Sequence, residues 1–323
     1  MQLRFAIQSV VIFVLGTLLA LVLPPFYAGL LTLCGLYALV TLGLNLFMGY
    51  AGQVSLGQAA FVGIGAYTSA VLAVHYDVSP WIGTLAGALV AAIVAYALSF
   101  VALRLRENYL ALATLALGIV INVVFSQWDF LGGTSGINAI PGYVLFGRTF
   151  DARSYAVLTW LLVAIGVWFA NRLVTSSYGR ALIALASGEL GALSLGLDGD
   201  RLRRQVFVLS AIYAGVSGGV YASYFSYIDP TSFGFLLSVN FVLMSVIGGL
   251  RSVWGAIIGA AAVVALGQFL SIEVPKILPS ARGDFQAFFF GIILVAILVN
   301  MPEGLVSGLR RLRGRRASLS SRA

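Results

Sequence analysis

Ten apolar runs of 17 to 24 residues follow one another along the 323-residue chain, separated by polar stretches. An α-helix needs about 20 apolar residues to cross the hydrocarbon of a bilayer, and each run comes close to that length. The sequence therefore predicts an all-α fold, a polytopic transmembrane helical bundle with about ten membrane segments. The third, eighth and ninth runs are short or glycine-rich and could be broken or re-entrant. The runs cover residues 5–23, 28–48, 58–75, 81–103, 109–127, 155–173, 205–228, 234–250, 253–270 and 284–301.

The composition is too apolar for a large water-facing surface. Hydrophobic residues make up 60% of the chain and charged residues only 9%, whereas soluble domains carry about 25% charged residues. We predict a single transmembrane domain over residues 1–301 and a basic cytoplasmic tail over residues 302–323. Two long connections interrupt the domain, an external loop at about 128–154 and a cytoplasmic loop at about 174–204.

The basic residues predict how the segments are oriented. With the N-terminus in the cytoplasm and ten crossings, 15 of the 19 basic residues lie on the cytoplasmic side, as the positive-inside rule requires. Both termini are then cytoplasmic. The basic residues lie between apolar runs and at the C-terminus, not along one polar face with interleaved aromatics. The net charge of +8 therefore indicates membrane topology and no nucleic-acid partner.

The cluster Arg310–Arg316 is predicted to anchor the inner face, with binding of a specific lipid as the weaker alternative.

The reactive residue types argue against an enzyme. The only lysine, Lys276, lies outside any Walker A motif, so the chain lacks the P-loop that holds ATP. If ATP drives this protein, another subunit binds it, and no cofactor or metal is expected in this chain. His75 has Asp77 nearby but no nucleophile positioned against it. All eleven acidic residues fall in loops or at helix ends, whereas proton- and ion-coupled transporters often carry ionisable groups at mid-membrane.

Several segments carry a small residue at every fourth position. Examples are Gly83, Gly87 and Ala91 in the fourth run and Gly215 and Gly219 in the seventh. Residues four apart share a helix face, and small side chains there let two helix backbones approach closely. The pattern favours packing within one bundle. Homodimerisation through one of these faces is the alternative.

Three stretches, taken together, resemble one family of transport proteins. The first, LNLFMGYAGQVSLGQAAFVGIGAYTSAVLA over residues 44–73, carries the pattern N-x-x-x-G-x-x-G-Q-x-S-L-G. The second comprises LRLRENYLALATLAL and LGGTSGINAIP, and the third runs from SYGRALIAL through AIYAGVSGGVYA to VIGGLRSVWGAIIGA. The chain thereby resembles the permeases of branched-chain amino acid ABC transporters. It looks like the longer of the two paired permease types, of which a Gly-rich external loop is a mark.

The resemblance implies a set of partners. In this family two permease chains line a translocation path, and two cytoplasmic ATPase subunits bind ATP and drive transport. A periplasmic or extracellular binding protein delivers the substrate. By this resemblance the chain would be a multi-pass protein of the bacterial cytoplasmic (inner) membrane. It would form half of a path for branched-chain amino acids or for related small amino acids and amides, as a homodimer or a heterodimer.

The cytoplasmic loop contains the expected coupling site. Its residues 180–197 carry Ala and Leu at three- and four-residue spacing, which predicts a short amphipathic helix. The resemblance implies that this helix seats in a cleft of an ATPase subunit and moves with it. A solvated loop with a helix at the membrane surface is the alternative. The candidate coupling residues are Gly179, Arg180, Glu189 and Gly196.

Polar residues between positions 49 and 58 interrupt apolar sequence at or near membrane depth. Polar, flexible backbone is tolerated there only where it is buried in protein or lines a wet cavity. These residues and three more distant ones are therefore candidates for the translocation path. Hydrogen bonding between helices, without contact to substrate, is an equal alternative for each of them. The candidates are Asn45, Gln53, Ser55, Gln58, Tyr67, Asn122 and Asn240.

The external loop is rich in glycine and turn-forming residues. Gly132, Gly133, Gly136 and Pro141 are predicted to shape it, either as a docking surface for the binding protein or as a lid over the entrance. Two other functions remain open for the whole chain. One is a stand-alone secondary transporter or channel for a small polar solute, and the other is a membrane scaffold without transport.

Overall fold

The computed structural model describes residues 2–103, 107–145 and 147–277, together with residues 291, 292 and 305. Within them the chain forms eleven α-helices and four two-residue strands, and nine stretches are long and apolar enough to cross a membrane. The predicted all-α, polytopic bundle is thus confirmed. The helices are α1 (Gln2–Val22), α2 (Pro25–Asn45), α3 (Gln58–His75), α4 (Pro80–Ala102), α5 (Glu107–Gln127), α6 (Ala152–Thr175), α7 (Ser177–Ser187), α8 (Glu189–Ser194), α9 (Gly199–Phe225), α10 (Phe235–Gly248) and α11 (Val253–Ile277).

The first nine predicted segments correspond to the nine spans, while the predicted tenth segment, 284–301, and the basic tail lie outside the continuous described ranges. The third and ninth segments, α3 and α11, are unbroken α-helices. The eighth consists of a 3-10 turn at Pro230–Phe233 and the 14-residue α10. An α-helix of that length extends about 21 Å, less than the roughly 30 Å of hydrocarbon in a bilayer. The short eighth segment therefore depends on its turn to cross.

Helix starts follow local sequence signals. Pro25 and Pro80 occupy the first helical position of α2 and α4, where a missing N–H has no consequence. Asp198 caps α9, its carboxylate accepting a hydrogen bond from the Arg201 amide at 3.0 Å. This cap starts α9 at Gly199, six residues before the predicted segment boundary at 205. The basic residues at positions 201–204 therefore belong to a helix and not to the preceding loop.

Glycines bring α3, α4 and α9 into close contact. A Cβ atom added at Gly65 would lie 2.2 Å from the Gly215 carbonyl oxygen, and one at Gly87 would lie 2.6 Å from the Gly65 carbonyl oxygen. The α10–α11 pair is equally tight, since a Cβ at Gly259 would lie 1.8 Å from the Met244 carbonyl oxygen. The small-residue faces of these helices are therefore occupied by helices of the same chain.

The two ends of the bundle differ in construction. The inner end, as we name it, carries α7 and α8, the segment 51–57 between α2 and α3, and the α10–α11 turn. The outer end carries residues 128–151. There strand β1 (Ile137–Asn138) pairs antiparallel with β4 (Tyr227–Ile228), and β2 (Val144–Leu145) pairs with β3 (Arg148–Thr149). The 3-10 turns Asp129–Leu131 and Gly133–Ser135 precede β1.

Candidate functional site

Asn45 joins the inner end of α2 to the turn between α10 and α11. Its side-chain nitrogen donates to the carbonyl oxygens of Gly249 at 3.3 Å and Ser252 at 2.9 Å. Its side-chain oxygen accepts from the Arg251 amide at 3.0 Å. Asn45 is 1% exposed. The amide of this predicted path residue is therefore engaged, on both its atoms, with the backbone of the turn.

A π-helical turn, Leu46–Tyr50, extends α2 beyond Asn45. Its last residues also hold Arg251, which has a positive φ of 62°. The Arg251 Nε donates to the Gly49 carbonyl oxygen at 2.9 Å, and the Tyr50 hydroxyl donates to the Arg251 carbonyl oxygen at 2.6 Å. A Cβ at Gly49 would lie 2.6 Å from the Arg251 amide nitrogen, so glycine is required for this close approach.

Residues 51–57 follow as non-helical backbone, in which Gln53 and Ser55 are 4% and 0% exposed while Val54 is 38% exposed. The Leu56 amide donates to the Thr114 hydroxyl of α5 at 3.0 Å. A Cβ at Gly57 would lie 2.5 Å from the Thr114 carbonyl oxygen. Non-helical backbone is tolerated at membrane depth when protein surrounds it and satisfies its polar groups, and α5 does so here.

Gln58 begins α3 and attaches it to α9. Its side-chain nitrogen donates to the carbonyl and hydroxyl oxygens of Ser210 at 3.0 and 2.9 Å. The Ala59 amide donates to the hydroxyl of Ser238 on α10 at 3.0 Å. Our sequence reasoning missed the three hydroxyl partners, Thr114, Ser210 and Ser238. Their signal is faint, because a single small hydroxyl in an apolar run also satisfies itself within its own helix.

Tyr67 lies further along α3, toward the outer end, and is 2% exposed. Its ring stacks on Phe125 with centroids 4.2 Å apart and meets Phe233 edge-on at 6.1 Å. Its hydroxyl oxygen is buried without a hydrogen-bond partner. Buried tyrosine hydroxyls usually find a partner, so this predicted path residue retains unused hydrogen-bonding capacity.

The path candidates Asn122 and Asn240 are placed differently from each other. The side-chain nitrogen of Asn122 on α5 donates to the Pro230 carbonyl oxygen at 2.6 Å. It thereby fixes the 3-10 turn that carries Phe233. Asn240 lies half-buried on α10. The structure thus brings Tyr67 and Asn122 to the same 3-10 turn, since Tyr67 meets its Phe233 and Asn122 bonds its Pro230.

The glycines of the outer end have backbone conformations that other residues adopt with strain. Gly132, Gly133 and Gly136 have φ values of 82°, 54° and 71°. A Cβ at Gly136 would lie 2.0 Å from the Ile228 carbonyl oxygen, because β1 begins at the next residue and pairs with β4. Pro141 is exposed on the same loop. These glycines shape the loop so that it lies across the outer end of α9.

A series of aromatic rings underlies this loop. The Tyr155 hydroxyl donates to the Ser223 carbonyl oxygen and accepts from the Tyr143 amide, both at 3.0 Å. Burial raises the pKa of Tyr143 to about 12, against the opposing effect of its hydrogen bond with Thr84, so its hydroxyl stays protonated at neutral pH. Adjacent rings in the series lie within 6.1 Å of one another. Its members are Phe125, Tyr67, Phe233, Tyr221, Phe225, Tyr224, Tyr155, Tyr143 and Trp81.

The predicted single helix over residues 180–197 is wrong in its bounds, because the structure has two helices, α7 and α8. Helix α7 begins earlier, at Ser177, since the Ser176 hydroxyl caps it by accepting from the Gly179 amide at 3.4 Å. A Cβ at Gly179 would lie 2.1 Å from the Val174 carbonyl oxygen. The exposed Arg180 donates to the Thr175 carbonyl oxygen at 3.2 Å.

Helix α7 is packed onto the inner end of the bundle. Leu182 and Leu185 on its buried face are 0% and 2% exposed. Its Ala186 covers Gly52, where an added Cβ would lie 3.2 Å from the Ala186 Cβ. The Tyr178 hydroxyl donates to the Leu202 carbonyl oxygen of α9 at 3.0 Å, and burial raises its pKa to about 12. Helix α7 therefore contacts both the 51–57 segment and α9.

Helix α8 begins at Glu189 and ends at Ser194. Beyond it, Leu195 is 79% exposed, and Gly196 has a φ of 77° with no atom near the position of a Cβ. The four candidate coupling residues thus lie on one continuous segment at the inner end.

The charged groups described in the structure are used mainly at element ends. Asp151 and Asp198 cap α6 and α9, and Asp229 caps the Pro230–Phe233 turn. Hydrogen bonds from Ser154 hold the pKa of the Asp151 carboxyl below its usual value. Across the described parts of the chain, no three His, Cys, Asp or Glu side chains are grouped so that they could hold a metal ion.

Comparison with known proteins finds a family whose model matches most of the chain. Residues 26–298 match the model of the family described as branched-chain amino acid transport system, permease component. The chain is 29% identical over 300 residues to the high-affinity branched-chain amino acid transport system permease protein LivM of Escherichia coli K12, covering 85% of this chain and 68% of that one. It is 26% identical to LivH of Salmonella typhimurium, covering 85% and 92%. Among solved structures, PsaBC from Streptococcus pneumoniae in complex with Fab aligns with a TM-score of 0.44 and 14% identity, over 87% and 93% of the chains.

Proposed function

Since this chain belongs to the family of permease components of branched-chain amino acid transport systems, we propose that it is the permease subunit of an ATP-driven importer. It forms half of a translocation path for branched-chain amino acids or related small amino acids and amides. A second permease subunit, such as a LivH-type chain beside this LivM-like one, forms the other half. Two cytoplasmic ATPase subunits supply the energy, and a binding protein outside the membrane supplies the substrate.

One observation carries this proposal, the contact of α7 with the polar segment between α2 and α3. Ala186 lies against Gly52, and a few residues further on Gln58 starts α3 with its bonds to Ser210. A movement of α7 that an ATPase subunit causes would therefore act directly on residues 51–57, because the two segments are in contact. Chains of packed side chains and rigid helices can carry coupling between distant sites, and this contact supplies such a link between the proposed energised surface and the path.

The coupling surface comprises α7, α8 and the residues that follow them. In our proposal Glu189, at the start of α8, and Arg180 pair with charged groups of an ATPase cleft, while the exposed Leu195 enters it. Gly179 lets the chain turn tightly from α6 into α7. Gly196, in its left-handed conformation, turns the chain from α8 toward α9.

The path is proposed to run along α3, from Tyr67 near the outer end to Gln53, Ser55 and Gln58 at the inner end. The unpartnered Tyr67 hydroxyl is the group best able to bind a passing amino acid. Asn45 and Gln58 support the wall of the path, because their side-chain amides bond the backbone that surrounds the path. Asn122 and Asn240 flank the same route from α5 and α10.

The outer loop is proposed to receive the binding protein. Gly132, Gly133 and Gly136 hold its turns against α9, and Pro141 stands exposed beside them. Because β1 pairs with β4 directly after α9, force on the loop reaches the helix that also contacts α7. The two ends of the molecule are thus connected through α9.

Uptake by reconstituted vesicles tests the proposal. The chain is inserted with the second permease and the ATPases, the binding protein is added outside, and labelled leucine is followed with and without ATP. Uptake that requires ATP, both ATPases and the binding protein is expected. Uptake that persists without ATP or ATPases would identify a stand-alone secondary transporter or channel and reject the importer.

Gly196 provides a sharper test of coupling. Proline cannot adopt its φ of 77°, so Gly196→Pro should redirect α8, leave ATP hydrolysis running and reduce uptake at least about tenfold, the loss expected when positioning fails. Gly196→Asn is the matched control, because asparagine tolerates the left-handed region and should retain uptake. Glu189→Ala is expected to uncouple in the same way. Coupled transport by Gly196→Pro and by Glu189→Ala would reject this assignment.

A further inference from the structure

An apolar groove runs between α6 and α9 on the outside of the bundle. Its inner part is a cleft of about 470 Å³, and its continuation is a cavity of about 260 Å³. Both are lined by Phe169, Leu209 and Ile212, so they adjoin. Phe169 is 44% exposed. The groove is therefore open along its side to the surrounding medium, which for a membrane span is lipid.

The lining changes from polar to apolar along the membrane normal. Arg172 and Gln205 lie at the mouth, both exposed, near the last turn of α6 and the second turn of α9. Leu162 and Val216 lie at the far end. The ten or eleven residues that separate mouth from far end on each helix correspond to about 15 Å of rise, half of the roughly 30 Å hydrocarbon core. The groove thus extends through one leaflet.

Among the described residues that line the mouth, Arg172 is the one cation. The Arg172 guanidinium carbon lies 5.4 Å from the centroid of the Trp168 ring, a ring type that prefers the membrane–water interface. Among the described residues that line the cleft none is acidic. The Ser176 and Tyr178 hydroxyls there already donate to the Leu173 and Leu202 carbonyl oxygens. Arg172 and Gln205 are the exposed polar side chains of the lining that remain available to a ligand.

A transmembrane helix fits this groove poorly. Helices in a membrane associate where small residues let their backbones approach, as α3, α4 and α9 do within this chain. The groove is walled instead by aromatic and branched side chains, among them Phe169, Leu209 and Ile212. It is a narrow slot with a cationic mouth, which matches an acyl chain with an anionic headgroup.

We propose that the α6–α9 groove binds an anionic phospholipid of the leaflet at the inner end, with its phosphate on Arg172 and Gln205 and one acyl chain along Leu209, Ile212 and Val216. A guanidinium binds phosphate oxygens through two parallel hydrogen bonds. The apolar slot holds the acyl chain against protein side chains, apart from the neighbouring lipids. Because the mouth lies directly beside the start of α7, the bound lipid braces the segment that we propose as the coupling surface.

Native mass spectrometry of the full chain, released from nanodiscs of phosphatidylglycerol mixed with phosphatidylcholine, tests this site. Wild type is expected to retain phosphatidylglycerol about fivefold over phosphatidylcholine, the preference expected for one basic residue at a membrane surface. Arg172→Ala should bring that ratio close to one, and Arg172→Lys should keep part of it. Arg201→Ala, a neighbouring arginine that does not line the groove, is the matched control and should leave the ratio unchanged.

A second variant separates a lipid site from a bare phosphate site. Leu209→Trp should fill the groove and reduce retention of both lipids, whereas a site for free phosphate would survive it. All variants are compared only when they elute as wild type in gel filtration. Equal lipid ratios for wild type and Arg172→Ala would overturn the proposal. So would a Leu209→Trp chain that keeps its lipid but no longer co-purifies with the second permease, since the groove would then be a protein interface.

Discussion

The polar residues at the start and in the middle of α3 are used in opposite ways. At the start Gln58, and likewise Asn45 of α2, place every donor they offer on a backbone or hydroxyl oxygen of another helix or turn. In the middle of α3 Tyr67 is as deeply buried, yet its hydroxyl has no partner and its ring is held by Phe125 and Phe233. Similar burial thus accompanies saturated hydrogen bonding at the start of α3 and unused hydrogen-bonding capacity halfway along it.

This difference distinguishes structural polar groups from groups that can meet a ligand. A buried polar atom without a partner is destabilising by about 1–3 kcal/mol, so such an atom gains most from a ligand that bonds it. Asn45 and Gln58 have such partners and stabilise the bundle. Tyr67 has none, which makes it the better candidate for substrate contact. Three substitutions, taken from the largest effect to the smallest, test that separation.

Asn45→Leu should show the largest loss of stability. It removes one acceptor and two donors, so the Arg251 amide and the Gly249 and Ser252 carbonyl oxygens lose their partners. We expect the free energy of unfolding, measured by SDS titration in mixed micelles, to fall by about 2–4 kcal/mol. The π-helical turn that follows should loosen as well, because Arg251 also holds Gly49.

Asn171 on α6 is the matched control for this substitution. Its side-chain nitrogen is buried but has no hydrogen-bond partner, so Asn171→Leu should leave the free energy of unfolding unchanged or raise it. If Asn45→Leu and Asn171→Leu had the same effect, the hydrogen bonds of Asn45 would contribute nothing. The contrast between the hydrogen-bonded amides and the unpartnered Tyr67 hydroxyl would then have no energetic basis.

Asp229→Ala should have an intermediate effect, confined to the outer end. The carboxylate accepts from the Thr231 hydroxyl at 2.5 Å and from the Ser232 amide at 2.8 Å, and so caps the turn that carries Phe233. Loss of such a cap lowers the free energy of unfolding by about 0.5–2 kcal/mol. Thermal unfolding followed by intrinsic fluorescence would measure it, and the Tyr67 ring should gain mobility.

The same cap predicts a pH dependence. Partial burial acts to raise the pKa of the Asp229 carboxyl, but the hydrogen bonds from Thr231 and Ser232 outweigh it and hold the pKa below its usual value. A carboxyl with a lowered pKa in the folded state stabilises fully above its ordinary pKa of about 4. That stability is lost as the pH falls through the lowered value. Asp229→Asn keeps an acceptor without a charge, so its melting temperature should depend less on pH below 4 than that of wild type.

How much of this could be read from the sequence differs between fold and site. The apolar runs predicted nine spans well, because hydrophobic length is a local property. The bonds of Asn45 and Gln58 could not be predicted, since their partners lie 152 to 207 residues away along the chain. The break between α7 and α8 was missed for a different reason. Ala and Leu continue their helical spacing across Gly188, and this spacing outweighed Gly188 itself, the stop signal at which α7 ends.

Tyr67→Phe should have the smallest effect on stability and the most specific effect on transport. The lost hydroxyl has no partner in the folded chain, so the free energy of unfolding should stay the same or rise. Tyr155→Phe is the matched control in the same ring series, because it leaves the Ser223 carbonyl oxygen and the Tyr143 amide unpaired and should destabilise by about 1–3 kcal/mol. In reconstituted vesicles Tyr67→Phe should raise the KM for uptake by about two- to tenfold, the value of one neutral hydrogen bond to substrate. A Tyr67→Phe chain with unchanged uptake and unchanged stability would mean that the hydroxyl meets neither protein nor substrate, and the path would then have to pass away from α3.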